Sequence, residues 1–330
     1  MAITTFVLLL DKVGANGKMN NTTKRGLVVK AVGSLYDVLS EEGAHYECRL
    51  RGKLRLSGSR STNPVVVGDW VIFSHEPTKG CVIESIEDRR NCIVRRSVKL
   101  SAAMQVIAAN LDLAILVYTT YAPPTPLEFV DRFLVTARAY GVPTLLVLNK
   151  CDLPEEREAW TALEIEKIYR PAEIELLQVS ATTGEGITTL GERIAGKVVL
   201  VAGQSGVGKS SILNVLDPSL SARVAPLSEQ HGLGVHTTTF SEMYELQTLP
   251  NTFVIDTPGI KGFGVVAFEK AEVAHFFPEI FALSHQCKYS NCLHETEPGC
   301  AVYAAYEAGK LPESRYRSYL SILYEDKSYR

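Results

Sequence analysis

Lys197-Val-Val-Leu-Val-Ala-Gly-Gln-Ser-Gly-Val-Gly-Lys-Ser210 runs from an apolar stretch of strand length into a glycine-rich loop, and Ser210-Ser-Ile-Leu-Asn-Val-Leu216 reads as the helix behind it. Phosphate binding needs backbone N–H groups that converge on one point, and glycines at 203, 206 and 208 let the chain approach without a Cβ. The loop Gly203, Ser205, Gly206, Val207, Gly208, Lys209, Ser210 and Ser211 is thus a candidate phosphate cradle. Lys209 would reach the β/γ-phosphates and Ser210 a Mg²⁺ ion. Taken alone, the pattern identifies a phosphate binder and neither the base nor the reaction.

Asn149-Lys-Cys-Asp152 answers the question of the base, and it lies before the loop in the chain. The Asp152 carboxylate can accept from both N1–H and the exocyclic amine of guanine, Asn149 can meet the base edge, and the Lys150 stem can lie over the ring. Adenine lacks that donor pair, so an ATP-using enzyme is disfavoured. Ser180-Ala-Thr182, at another strand end, fits a companion loop in which Ser180 and Ala181 steady the base.

Asp256-Thr-Pro-Gly259 follows the apolar run 252–255, as expected of a carboxylate that holds Mg²⁺ through water and a glycine N–H that meets the γ-phosphate. Gly232-Leu-Gly-Val-His-Thr-Thr-Thr239 is a hydroxyl-rich loop suited to closing on the metal, with Thr238 the first choice of ligand and Thr237 the second. Ile260 stands where many GTPases carry a water-orienting glutamine, so catalysis needs another group. His236 can hydrogen-bond a water; a histidine that packs or caps the loop is the competing reading.

Composition bounds these readings. With 330 residues, 46% hydrophobic and 22% charged, the chain is long enough for two or three globular domains. Apolar runs are of strand length, short of the roughly 20 residues of a membrane span. The segment Thr5–Leu10 has no basic residue ahead of it, and we expect a cytoplasmic protein with no membrane partner. Seven cysteines, three of them within fourteen residues, favour a reducing compartment. A net charge of −3 gives no global attraction to nucleic acid.

From Arg25 to about Lys99 short alternating strands are broken by turns, which predicts a small closed OB-like β-barrel. Val65-Val-Val67 reads as one of its strands. In the run 46–56, Arg49, Arg51, Lys53 and Arg55 alternate with apolar residues, so one face carries four cations. That face suits an RNA backbone; a solvated face whose charges discourage edge pairing is the plain alternative.

After about Ser101, strands alternate with helices, including one over 155–169, in a doubly wound α/β domain. Near the C-terminus Cys287, Cys292, His294 and Cys300 offer three sulfurs and one imidazole, a closed structural zinc shell among helices. Beyond it Lys310, Arg315 and Arg317 are candidates for RNA contact, with solvated helix faces the default.

In this order the motifs resemble those of the circularly permuted, small-ribosomal-subunit-dependent GTPases of the RsgA/YjeQ family, over about residues 23–330. The resemblance implies GTP hydrolysis stimulated by the small subunit, action late in its maturation, contact of the barrel and zinc segment with ribosomal RNA, and a catalytic role for His236. An RNA-binding assembly factor that uses GTP only as a conformational lock is the alternative. The expected division is an extension without ordered structure at 1–22, an OB domain at 23–100, a permuted GTPase domain at 101–272 and a zinc-binding helical domain at 273–330. A monomer is expected.

Overall fold

The computed structural model describes residues 23–52, 64–76, 80–96, 104–153, 160–220, 242–256 and 268–325. The extension 1–22 lies outside them. The first five strands are β1 (Thr23–Val32), β2 (Leu35–Ser40), β3 (His45–Leu50), β4 (Trp70–Glu76) and β5 (Gly80–Ile86). Antiparallel pairs β1–β2, β2–β3, β4–β5 and β1–β4, with β3 and β5 parallel, close a five-stranded barrel. Alternation sends Val28, Val38, Cys48, Phe73 and Ile83 inward, all buried.

Two expectations for the barrel are corrected. The third strand stops at Leu50, where its pairing with Ile83 ends, so it does not carry four cations. Arg49 is exposed, Arg51 is paired with Glu84 just past the strand, and Lys53 and Arg55 lie outside the described residues. Val65-Val-Val67 is buried but is not a strand; only Val67 makes a single bridge, to Ala108. A turn claims this run instead. The buried Asp69 carboxylate accepts from Val66 N–H (2.8 Å) and is held by Arg89 through two contacts of 2.7 and 2.8 Å.

The hairpin β6 (Cys92–Arg96) and β7 (Met104–Ala109) leads into a mixed sheet. Strands β8 (Leu113–Tyr118), β9 (Thr144–Leu148), β10 (Glu175–Gln178), β11 (Val198–Ala202) and β13 (Phe253–Asp256) are parallel in the order β10-β9-β8-β11-β13, and β12 (Glu242–Glu245) adds antiparallel to β13. Alternate residues feed opposite faces. Leu116, Leu146 and Leu200 enter one buried cluster; Ile115, Val117, Val147 and Val201 enter the other. Parallel strands buried on both faces are therefore near-continuous apolar runs, and helices cover each side.

These helices are α1 (Leu127–Ala139), α2 (Ala162–Tyr169), α3 (Ile187–Ile194) and α4 (Lys209–Leu216). The helix expected over 155–169 begins at Ala162: the Thr161 hydroxyl accepts from Glu164 N–H, and the Glu164 carboxylate returns to Thr161 N–H. Residues 154–159 lie outside the described set. Lys30 of β1 pairs with Glu242 of β12 (2.8 Å), which joins the barrel edge to the sheet.

The C-terminal segment is a 3₁₀ turn (Lys270–Phe276) with α5 (Pro278–Ser284), α6 (Ala301–Glu307) and α7 (Glu313–Leu323). Its apolar cluster includes Val135 of α1. Arg315, expected on a solvated or RNA-facing surface, is buried instead. It bonds Asp131 of α1 (2.6 Å) and Glu279 of α5 (2.7 Å), and stacks against Phe277 at 4.6 Å. Burial pushes the Asp131 carboxyl up, while the adjacent guanidinium opposes the shift.

Removing one member of a buried charge group leaves the others uncompensated. Arg315→Met is expected to lower stability by about 3–5 kcal/mol, read from urea unfolding. A loss below about 1 kcal/mol would place Arg315 outside the forces that dock this segment.

Candidate functional site

The nucleotide motifs within the described residues sit at the carboxyl edge of parallel strands: Asn149 after β9, Ser180 beyond β10, Gly203 after β11, and Asp256 at the end of β13. The glycine loop fits only without side chains. A Cβ on Gly203 would meet the Val117 carbonyl at 2.2 Å, and one on Gly208 would meet the Asn149 amide nitrogen at 2.2 Å. Gly208 also has φ +94°, which L side chains rarely adopt.

Asn149, almost fully buried, links three loops. Its backbone N–H donates to the Tyr118 carbonyl (2.9 Å), its amide donates to the Val207 carbonyl (2.8 Å), and its side-chain oxygen accepts from Ala181 N–H (3.2 Å). Lys150, at φ +67°, donates to the Gly206 carbonyl (2.8 Å) and to the Ala122 carbonyl. The Ser180 hydroxyl donates to Asp152 (2.5 Å) and accepts from Thr182 and Thr183 N–H (3.2 and 3.0 Å). The exposed Asp152 is thus held from one side, with its remaining acceptor positions toward solvent.

Ser205, Gly206, Ser210 and Ser211 are exposed along the loop and the first turn of α4, while Val207 is buried beneath them. Lys209 folds back to donate to the Gly203 and Gln204 carbonyls, both at 2.8 Å. Burial pushes its ammonium pKa down, and Asp256 opposes that shift. With glycines at 203, 206 and 208 that let the backbone approach closely, and with one ammonium beside them, the loop can receive a polyphosphate. Gly259, His236, Thr237, Thr238 and Ile260 lie outside the described residues.

A second cluster forms apart from this edge. The ligand atoms of Cys287, Cys292, His294 and Cys300 all lie within 4.8 Å of one another. Cys287 Sγ is 3.5 Å from His294 Nδ1 and 4.0 Å from Cys300 Sγ, and Cys300 Sγ is 3.8 Å from His294 Nδ1. A tetrahedron with zinc–ligand bonds of about 2.0–2.3 Å has edges of that order, so the donor set fits a closed zinc site.

Surrounding groups hold the loop that carries the histidine. The Glu297 carboxylate accepts from Leu293 and Glu295 N–H (2.7 and 2.8 Å). Tyr316 and Tyr319 of α7 donate to the His294 and Leu293 carbonyls (2.7 and 2.8 Å). Burial pushes the Cys292 thiol up to about 12 and lowers the His294 imidazole. Neutral forms are favoured there until a cation compensates thiolate charge.

The sequence reading missed the loop between β8 and α1. Ala122, at φ +52°, presents its carbonyl to Lys150, and a Cβ on Gly206 would lie 3.4 Å from Pro123. The paired prolines 123 and 124 between a strand and a helix were the available signal, since periodicity says nothing about loops.

Comparison with known proteins agrees with this architecture. A family model described as RsgA GTPase matches residues 86–266, and one described as RsgA N-terminal domain matches residues 25–83. The small ribosomal subunit biogenesis GTPase RsgA of Flavobacterium johnsoniae is 46% identical over 307 residues, covering 92% of this chain and 94% of the relative. Its namesake in Bacteroides fragilis is 48% identical over 305 residues, covering 92% and 97%. Among solved structures, YjeQ from Thermotoga maritima superposes with a TM-score of 0.70 at 35% identity, covering 92% of this chain and 98% of that one. YloQ, described as a circularly permuted GTPase, gives 0.68 at 27% identity, covering 96% and 99%. The order of motifs, the closed barrel ahead of them and these likenesses over nearly the whole length agree: the chain belongs to the RsgA family of circularly permuted GTPases.

Proposed function

We propose that the chain hydrolyses GTP to GDP and phosphate, that the small ribosomal subunit stimulates this turnover, and that the protein acts late in the maturation of that subunit. The observation that carries the proposal is the convergence of Asn149, Lys150, Ser180 and the glycine loop on one sheet edge, in a chain whose relatives are named for small-subunit biogenesis. Asn149, Lys150, Asp152, Ser180 and Ala181 take the guanine. Gly203, Ser205, Gly206, Val207, Gly208, Lys209, Ser210 and Ser211, with Asp256 and Gly259, take the phosphates.

On binding, Lys209 exchanges its bonds to the Gly203 and Gln204 carbonyls for phosphate oxygens. Ser210 and Thr238, with Asp256 through water, are the residues that would hold Mg²⁺; when bound it neutralises charge on the β- and γ-phosphate oxygens. His236 orients the attacking water. Positioning and electrostatics dominate phosphoryl transfer, so a single orienting group acts on rate more than on affinity.

The same reading divides the chain into a barrel at 23–100, a GTPase domain at 101–272 and a zinc-binding domain at 273–330, with the β6–β7 hairpin as the joint between the first two. Arg49 and Arg51 of the barrel, with Lys53 and Arg55, offer cations to ribosomal RNA. Lys310 and Arg317, both exposed, do so from the C-terminal domain. We place the protein in the cytoplasm as a monomer; among the described residues no helix is long and apolar enough to cross a membrane.

Two measurements test this function. GTP turnover is expected to rise on adding small subunits, and in His236→Ala the stimulated rate should fall by about one to three decades with GTP affinity nearly intact. No stimulation of the native chain would favour the conformational-lock reading, and full stimulated turnover in the variant would leave His236 a packing residue. For the Cys287, Cys292, His294 and Cys300 cluster, metal analysis should return one zinc per chain, and Cys292→Ser should lose it while GTP affinity persists. Full zinc content in that variant would overturn the ligand set.

A further inference from the structure

The segment Thr119-Thr-Tyr-Ala-Pro-Pro-Thr-Pro126 joins β8 to α1, and it closes on itself through the two ends. The fully buried Thr119 hydroxyl donates to the Pro123 carbonyl (2.5 Å). Thr125 N–H donates to the Thr119 carbonyl (2.8 Å), and Thr119 N–H donates to the Thr125 hydroxyl oxygen (3.3 Å). These bonds fix a ring of backbone whose outermost part carries Ala122 in the left-handed region. A non-glycine residue stays there only when its surroundings hold it.

What the ring presents is the Ala122 carbonyl, and Lys150 takes it. The same ammonium donates to the Gly206 carbonyl at 2.8 Å, so one cation ties the loop after β8 to the phosphate cradle. Because the trans peptide is planar, fixing the Gly206 carbonyl also fixes the opposite direction of the Val207 N–H. Lys150 therefore serves both ends of a nucleotide: its stem borders the base position and its head sets one N–H of the cradle. Without a second acceptor, that head is free to leave Gly206 for water.

We infer that the 119–126 loop is a clamp for Lys150, with Thr119 the positioning residue that holds the Ala122 carbonyl in place. The inference rests on the guanine-site reading given above. No γ-phosphate contact is involved, so the clamp sets affinity for GDP and GTP alike and leaves the chemical step alone. A serine at 119 retains the donor; a valine retains the volume and loses it.

The test uses the full chain, titrated with fluorescently labelled GDP and assayed for subunit-stimulated GTP turnover. In Thr119→Val, the GDP dissociation constant and the KM for GTP should both rise roughly tenfold, the effect of one lost buried hydrogen bond. The kcat should stay within about twofold of native, and Thr119→Ser should restore both constants to about native values. Native-like GDP binding by Thr119→Val overturns the clamp. So does a fall in kcat as large as the loss of affinity, or a failure of serine to rescue. Should Thr119→Val fail to fold, Thr125→Ala, which removes the acceptor for Thr119 N–H, carries the same expectation and the same refutation. Asp152→Asn separates the two levels of argument, because it should move preference from guanine toward xanthine nucleotide. An unshifted preference sinks the guanine site itself; a shifted preference beside a native-like Thr119→Val sinks only the clamp.

Discussion

The Asn149 side chain is the constraint on which the site depends. It is one amide with a donor and an acceptor, buried where both must be satisfied. The donor end takes the Val207 carbonyl of the glycine loop and the acceptor end takes the Ala181 N–H of the Ser180 loop, so three separate strand ends are held in one register. Holding the Val207 carbonyl also fixes, through the planar peptide, the direction of the Gly208 N–H. The absence of a side chain at Gly208 follows from the same contact, since a Cβ there would clash with the amide nitrogen at 2.2 Å.

This cross-linking explains how a permuted order of motifs still makes one site. Parallel strands expose their carboxyl ends along one edge whatever the sequence in which they are visited. The tetrad after β9 and the glycine loop after β11 are 58 residues apart at the Asn149–Val207 contact, yet β8 is the only strand between them in the sheet. Permutation also decides what is attached where. β1 of the barrel pairs with β12 through Lys30 and Glu242, and the zinc segment lies on α1 through Arg315 and Arg132, the latter bonded to Glu325 at 2.8 Å. Both appended units thus rest on elements one step removed from the nucleotide loops. α1 begins where the 119–126 loop ends, so the helix on which the C-terminal segment docks follows directly from the loop that Lys150 contacts.

Much of this was legible from residue pattern. Glycine spacing, the tetrad and the apolar runs identified the sheet, its direction and its loaded edge, because each depends on local chemistry: φ above zero at Gly206 and Gly208, and burial on both faces for Leu116 and Val117. The Cys287 to Cys300 spacing gave the ligand cluster for a similar reason. What pattern could not give were the outcomes of long-range competition. Alternation from Cys48 to Leu56 continues past Leu50, but the ladder with β5 ends at the Leu50–Ile83 pair and Arg51 meets β5 through its side chain, at Glu84. Val65 to Val67 has strand composition, yet Asp69 and Arg89 claim its backbone for a turn. Arg315 follows the polar spacing of a solvated helix and is buried because Asp131 and Glu279, 184 and 36 residues away, are brought to it.

Equilibrium binding of GDP to Asn149→Ala tests the central claim most directly. If the amide holds the guanine loop and the glycine loop together, the loss of two buried hydrogen bonds should raise the dissociation constant by about two orders of magnitude in a protein that remains folded. A folded Asn149→Ala chain that binds GDP as tightly as the native one would contradict the account.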